Sequence, residues 1–343
     1  MSDQRHKLPG LQAGRALAAL LVAYYHSYML FNGWQQDYVF AIPALKQHGY
    51  LGVNFFFAIS GFVISSVCDK AGFAPREFLI KRFFRLYPVY WAVIALTIVL
   101  KPLVFLPGGS YKAGYIAYSM TLLPQSGTPF YPVTWSLEYE VMFYALAVLV
   151  VPLFGVWGLA AVLFGLVRWA LTAPPDFFTF HLVATLNSDF LAGVLAYLLR
   201  KPMSYIPAII LVAAGLFGYY TVAVLQVPFS GSVGGFFLVS GLIGAKWGWD
   251  RAPLRWLVSI GDASYSLYLI HFILIFVSAA MVNALRLPPT LAEPVRFTYL
   301  AICVWFSLQM WKRIEKPMID RGNKISLRWA QINSNKVPVP SPN

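Results

Sequence analysis

Residues 14–30, GRALAALLVAYYHSYML, decide how this chain is read. The run is apolar enough to lie in a membrane, yet it carries Arg15 and His26. Residues eleven apart on an α-helix differ by about 20° around the axis and by roughly 16 Å along it. Arg15 and His26 therefore point the same way, the arginine near one membrane surface and the histidine deeper. Two readings fit. In one, Arg15 snorkels at a helix end and His26 makes a structural hydrogen bond. In the other, both face a bundle interior, where costly ionisable groups mark functional sites.

The rest of the 343-residue chain sets the context: 59% of residues are hydrophobic and only 11% charged. Soluble domains carry about 25% charged residues, so the fold class is all-α and polytopic, embedded in a membrane. The net charge of +13 does not indicate a nucleic-acid partner. The basic residues cluster in short loops between apolar segments, as expected of cytoplasmic loops, where they can meet membrane lipids or a phosphorylated ligand. Cys68 and Cys303 form neither a metal spacing nor a disulfide framework. The basic start MSDQRHKLPG reads as the flank of a retained first span, because no small-residue cleavage site follows.

Apolar segments fall near 11–31, 49–68, 86–106, 113–124, 136–153, 156–173, 182–199, 206–225, 231–246, 257–284 and 297–312. The basic loops at 76–85, 200–201, 246–255 and 312–324 belong on the same side as the basic N-terminus. They share it only if one segment between 86 and 182 does not cross. The short run 113–124, which leads into PQSGTPFYP, is the one expected to be re-entrant or interfacial. About ten transmembrane helices result, with both termini cytoplasmic and the connection at 154–155 very tight. Residues 1–325 read as one membrane domain, and 326–343 as a flexible tail.

Four further stretches carry polar groups. GVNFFFAISGF (52–62) places Asn54, Ser60 and Gly61 in an aromatic run, a pattern that suits close helix packing. KRFFRLYPVYW (81–91) sets Lys81, Arg82 and Arg85 at a cytoplasmic edge beside Tyr87, Tyr90 and Trp91. That is either a positive-inside cluster with an aromatic belt or a phosphate clamp with stacking rings. TWSLEYEVMFY (134–144) begins outside, with Trp135, Ser136 and Glu138 at its first turn and Glu140 deeper. Glu138 suits a helix start, whereas Glu140 can pair with His26 or Arg168 or bind a substrate hydroxyl. In IGDASYSLYLIH (260–271), Ser264, Tyr268 and His271 share one helical face. Asp189 reads as a structural hydrogen-bond partner. No phosphate-binding loop, dinucleotide fingerprint or zincin motif is present, nor a nucleophile elbow.

Taken in order, GRALAALLVAYYH, GVNFFFAISGF, KRFFRLYPVYW, WSLEYEVMFY, IGDASYSLYLIH and IEKP (314–317) resemble the membrane acyltransferase-3 family, within it the exopolysaccharide O-acetyltransferase (ExoZ-like) type. The resemblance runs from about residue 8 to 320. It implies a bacterial inner-membrane enzyme that moves an acyl group, usually acetyl from acetyl-CoA, to a hydroxyl of a surface or exported glycan, with no metal. The family's essential histidine falls on His26. Asn54 departs from the Asp often found after GV, which weakens any carboxylate role there. No fused esterase domain is expected, so the membrane domain completes the transfer alone or with a separate partner.

On this resemblance His26 is the general base, and Glu140 orients it or the sugar. Arg15, Arg82 and Arg85, with Tyr87, bind the CoA end. Tyr268 and His271 are candidate oxyanion donors, and Trp135, Ser136, Glu138 and Asn54 candidate acceptor contacts. The residues alone leave a glycan or lipid-linked-sugar transporter open, since it too needs a buried polar groove.

Overall fold

The computed structural model describes residues 8–30, 43–100, 112–172 and 181–334. Among them there is no strand. The helices are α1 (Pro9–Leu30), α2 (Pro43–His48), α3 (Leu51–Cys68), α4 (Pro75–Val99), α5 (Ala113–Ser119), α6 (Trp135–Ala170), α7 (Asn187–Leu198), α8 (Arg200–Met203), α9 (Ala208–Val224), α10 (Ser230–Gly244), α11 (Leu254–Asp262), α12 (Ser264–Ala284), α13 (Ala292–Met310) and α14 (Lys316–Ser334). A π-helical turn, Trp311–Glu315, joins the last two.

Among the described residues, four stretches are long and apolar enough to cross a membrane: Leu51–Cys68, Pro75–Val99, Pro132–Ala170 and Ser264–Ala284. α9 and α10 are apolar but shorter. α1 has the length, but Arg15, His26 and its tyrosines lower its hydropathy. The apolar run at 257–284 divides at Ala263 into α11 and α12, so only its second part is a long apolar helix.

α1 lies at the centre, packed against α3, α10, α11, α12 and α13. Close approach of α3 and α7 depends on two glycines. A Cβ on Gly61 would stand 2.2 Å from the Phe190 carbonyl oxygen, and one on Gly193 1.9 Å from that of Ala58. Such small residues let helix backbones meet where lipid gives no hydrophobic drive for association. The tight connection expected at 154–155 is a break in α6 at Gly155, which adopts φ 66° and ψ −173° three residues after Pro152. A positive φ of this kind is costly for any residue with a Cβ.

The segment expected not to cross contains only the seven-residue α5 and is strapped to α4. Tyr87 and Tyr90 donate to the carbonyls of Thr121 and Ser119, both at 2.8 Å, and the Trp91 indole donates to that of Met120 at 3.0 Å. At the other end of the chain, α14 continues beyond residue 325 to Ser334, where a flexible tail was expected. It packs on α4, with Arg76 stacked 3.8 Å over the Trp329 ring and Gly322 against Phe84. Residues 335–343 and most of the connections expected to face outward at 32–48 and 174–181 lie outside the described residues.

Candidate active site

Five helices converge on one half-open cavity. α1 supplies Arg15, α3 Ser60, α4 Arg82 and Arg85, α6 Ser136 and Glu140, and α12 Ser264, Tyr265 and Tyr268. Rings of Phe56 and Phe57 complete the wall. Eight of the residues singled out from sequence, Arg15, Ser60, Arg82, Arg85, Ser136, Glu140, Ser264 and Tyr268, are therefore neighbours around one space.

The cavity is unevenly charged. Arg15 donates through Nε to Ser264 Oγ at 3.0 Å. Arg82 lies over the rings of Phe78 and Tyr144, at 5.1 and 5.3 Å. Neither Arg82 nor Arg85 has a carboxylate within ion-pair distance among the described residues. Glu140 accepts from Ser60 Oγ at 3.1 Å and from the Tyr144 hydroxyl at 2.5 Å. It does not pair with His26 or Arg168, the partners open to it in the sequence. A second carboxylate, Glu315, interacts electrostatically with Arg85 and Arg15 and accepts from Ser266 Oγ at 2.6 Å. It is fully buried and closes the π-helical turn, a helix variant found often at functional sites.

His26 is not a lining residue of this cavity; the path to it runs along α12. Tyr268 lines the cavity, its ring is 5.7 Å from that of His271, and His271 Nε2 is 3.2 Å from His26 Nδ1. Arg15–Ser264 and His26–His271 are thus two rungs between the same pair of helices. The tautomer of His26 follows from its other contact. Nδ1 is 3.0 Å from the Val22 carbonyl oxygen, which can only accept, so Nδ1 carries the proton. His271 Nε2 shares that N–H as a second acceptor. His26 Nε2 is left unprotonated, with no hydrogen-bond partner among the described residues.

Tyr268 has its own proton engaged. Its hydroxyl donates to the Val133 carbonyl at 2.5 Å, and Ser136 Oγ lies 2.7 Å away. Other expected site residues sit elsewhere. Tyr87 stacks on Phe83 at 4.9 Å and does not line the arginine cavity; it lines a neighbouring groove with Leu86 and Leu149, of which Arg82 is the shared wall. Glu138 is buried against His181 Nε2 at 2.8 Å and accepts from Gln125 at 2.7 Å. Trp135 stands edge-on to Phe57 and Tyr139. Asn54 donates to Asp189 at 2.7 Å on the far side of α3. No group of three or more metal-ligating side chains occurs among the described residues.

One further cluster fixes the helix that bears His26. Tyr24 and Tyr28 both donate to Glu293 of α13, at 2.9 and 2.6 Å. Arg296 pairs with the same carboxylate at 2.6 Å and lies 3.7 Å over the Tyr28 ring.

The acyltransferase-3 domain, described as an acyltransferase domain, matches residues 8–310, and the chain belongs to that family. Among its relatives is the exopolysaccharide production protein ExoZ of Rhizobium meliloti, 27% identical over 80% of this chain and 90% of the relative. Another is a Staphylococcus aureus protein named "Putative O-acetyltransferase SACOL0978", 26% identical over 94% of this chain. The chain spans 59% of that longer relative. No solved structure matches.

Proposed function

We propose that the protein transfers an acyl group, acetyl in the first instance, from acyl-CoA to a hydroxyl of a cell-surface or exported glycan. The reading places it in the bacterial inner membrane, crossing about ten times with both termini cytoplasmic. The names of the relatives support the reaction, and the alternation of basic loops supports the topology.

The observation that carries the chemistry is the bare Nε2 of His26 at the end of a polar wall that begins at Arg15. In the proposed step Nε2 takes the proton of the acceptor hydroxyl, and the oxygen attacks the thioester carbonyl. The C–S bond breaks as the new ester C–O bond forms, and the departing thiolate receives the proton. A histidine suits this exchange near neutral pH. The Nδ1–H shared by Val22 and His271 steadies the imidazolium that forms meanwhile.

Arg15, Arg82 and Arg85 take the CoA phosphates, for which guanidinium forks are suited. Glu140, held by Ser60 and Tyr144, orients a sugar hydroxyl that enters the cavity. Tyr268 serves an oxyanion only by releasing the Val133 carbonyl, and His271 Nε2, which accepts from His26, has no proton to give, so backbone donors are the better candidates for that charge.

The test uses membrane vesicles of known orientation. Labelled acetyl-CoA is supplied on the cytoplasmic face and label is followed into glycan, with wild type beside His26→Ala. Label that enters glycan only with His26 intact supports the reading. Full transfer by the variant removes His26 from the chemistry, and failure of acetyl-CoA to bind the purified protein removes the donor.

A further inference from the structure

A second space, walled largely by apolar side chains but edged with polar ones, lies away from the arginine cavity, between α3, α7 and α10. It is a hollow of about 360 Å³ whose lining includes Asn54, Thr185, Ser188, Asp189 and Ser232. The buried Asp189 accepts from Asn54 and from Ser232 Oγ, both at 2.7 Å, and Ser188 Oγ is 2.8 Å from Ser232 Oγ. Interhelical glue would account for such a cluster at a dry contact. Here Asn54, Ser188 and Ser232 are only half-buried, Thr185 is exposed, and all four line open space. The hollow therefore offers an amide and hydroxyls, groups that bind sugar hydroxyls, held in place by the buried Asp189 carboxylate.

The hollow continues into an apolar groove of about 530 Å³, and the two share Leu171, Ser188, Phe229 and Ser232. Beyond the shared end the groove is walled by Leu191, Leu195, Leu199 and Phe236. Both volumes lie within the ~300–1,000 Å³ usual for ligand sites. Arg168, exposed and without an acidic partner among the described residues, stands on the groove wall. A hollow edged with an amide and hydroxyls, a cation and a long apolar trough in continuity match one kind of molecule: a sugar head, a phosphate link and a lipid tail.

We propose that this continuous site docks a lipid-linked saccharide, its sugar in the hollow, its phosphate at Arg168 and its tail along α7. Its role as acyl acceptor rests on the transferase reading. The placement suits that role. Leu51 and Asn54, in the first turns of α3, line the hollow, and Tyr50 just before them has its ring 5.8 Å from that of Tyr25, the neighbour of His26. A saccharide reaches His26 by passing over the start of α3.

The experiment uses the full chain in lipid nanodiscs. The probe is a glucosyl C15-isoprenyl diphosphate with a photoreactive diazirine in its terminal isoprene unit. Crosslinks are expected on residues 191–199 and 232–237, displaced by the same glycolipid without diazirine but not by phosphatidylglycerol. Leu195→Trp, which fills the groove, and Arg168→Gln, on an exposed wall, should each lower crosslinking about tenfold or more while acetyl-CoA binding stays at the wild-type level and reports an intact fold. The proposal is overturned if crosslinks spread evenly over the lipid-facing helices. It is equally overturned if phosphatidylglycerol competes as well as the glycolipid, or if both variants label like wild type. Acetyl-CoA binding separates the two readings: its absence beside specific crosslinking removes the transferase role and leaves the glycolipid site.

Discussion

Replacing Arg85 by Ala should weaken binding of acetyl-CoA but not of acetyl-pantetheine, which has the thioester arm without the nucleotide phosphates. Around the cavity, Arg15, Arg82 and Arg85 face two carboxylates, Glu140 and Glu315. Arg15 is also tied to Ser264, whereas Arg85 has no hydrogen-bond partner among the described residues and is the guanidinium free to take an anion. A hydrogen bond to a charged group contributes about 1.5–3 kcal/mol. At ~1.4 kcal/mol per tenfold, Arg85→Ala should raise Kd for acetyl-CoA by about 10- to 150-fold. Arg82→Ala should do the same, less any part of its fork held over Phe78 and Tyr144. The double variant should fall short of the product, because residues three apart on a helix share one phosphate environment. Titration calorimetry on the protein in nanodiscs reads both ligands on one sample. Equal losses for acetyl-CoA and acetyl-pantetheine would refute a phosphate contact and point to a collapsed cavity; no loss for either would place the CoA phosphates elsewhere.

His26→Ala should lower turnover by about 10²- to 10⁴-fold, the usual contribution of a positioned general base, with acetyl-CoA affinity unchanged; single-turnover transfer and binding measured side by side check both halves. Glu138→Ala removes the contacts to His181 and Gln125 and should destabilise the protein by about 3–5 kcal/mol, as breaking a buried pair does, visible as a lower melting temperature in detergent. Gly193→Leu should prevent folding, since its Cβ would meet the Ala58 carbonyl; a monodisperse, thermally stable variant would contradict the close α3–α7 contact.

The arginine cavity was largely legible because its residues sit in separate short motifs whose spacing fixes direction and depth. Helical period put Arg15 on the face of His26, and Tyr268 on that of Ser264 and His271, but left open whether those faces turn inward, just as the membrane edge left Arg82 and Arg85 either a topological cluster or a clamp. What the period does not give is which helices touch. Glu315 stood in view within IEKP, but its role depends on α13 and α14 meeting in a π-helical turn beside Arg85. Glu138 and Glu140 are two residues apart and so face different ways: one meets His181 and Gln125, the other the cavity. Only tertiary contact distinguishes them. Asn54, in the same motif as Ser60, turns to Asp189 because the glycine contacts bring α7 against that face of α3. Tyr87 was misplaced for a related reason, since its hydroxyl is taken by the strap from residue 121. The extent of α14 was hidden because its sequence is polar, and its order comes from Phe84 and Arg76 of α4.

The knot of Tyr24, Tyr28, Glu293 and Arg296 bears on how a reaction cycle can run. It anchors α1 within one turn of His26, on the side away from the arginines, so the imidazole is a fixed post. A cycle built on a fixed post has no swinging base and no piston-like helix. On the proposed transfer, donor and acceptor would do the travelling, each arriving from its own side and leaving the way it came, and turnover would keep pace with how quickly two long, flexible molecules thread and unthread.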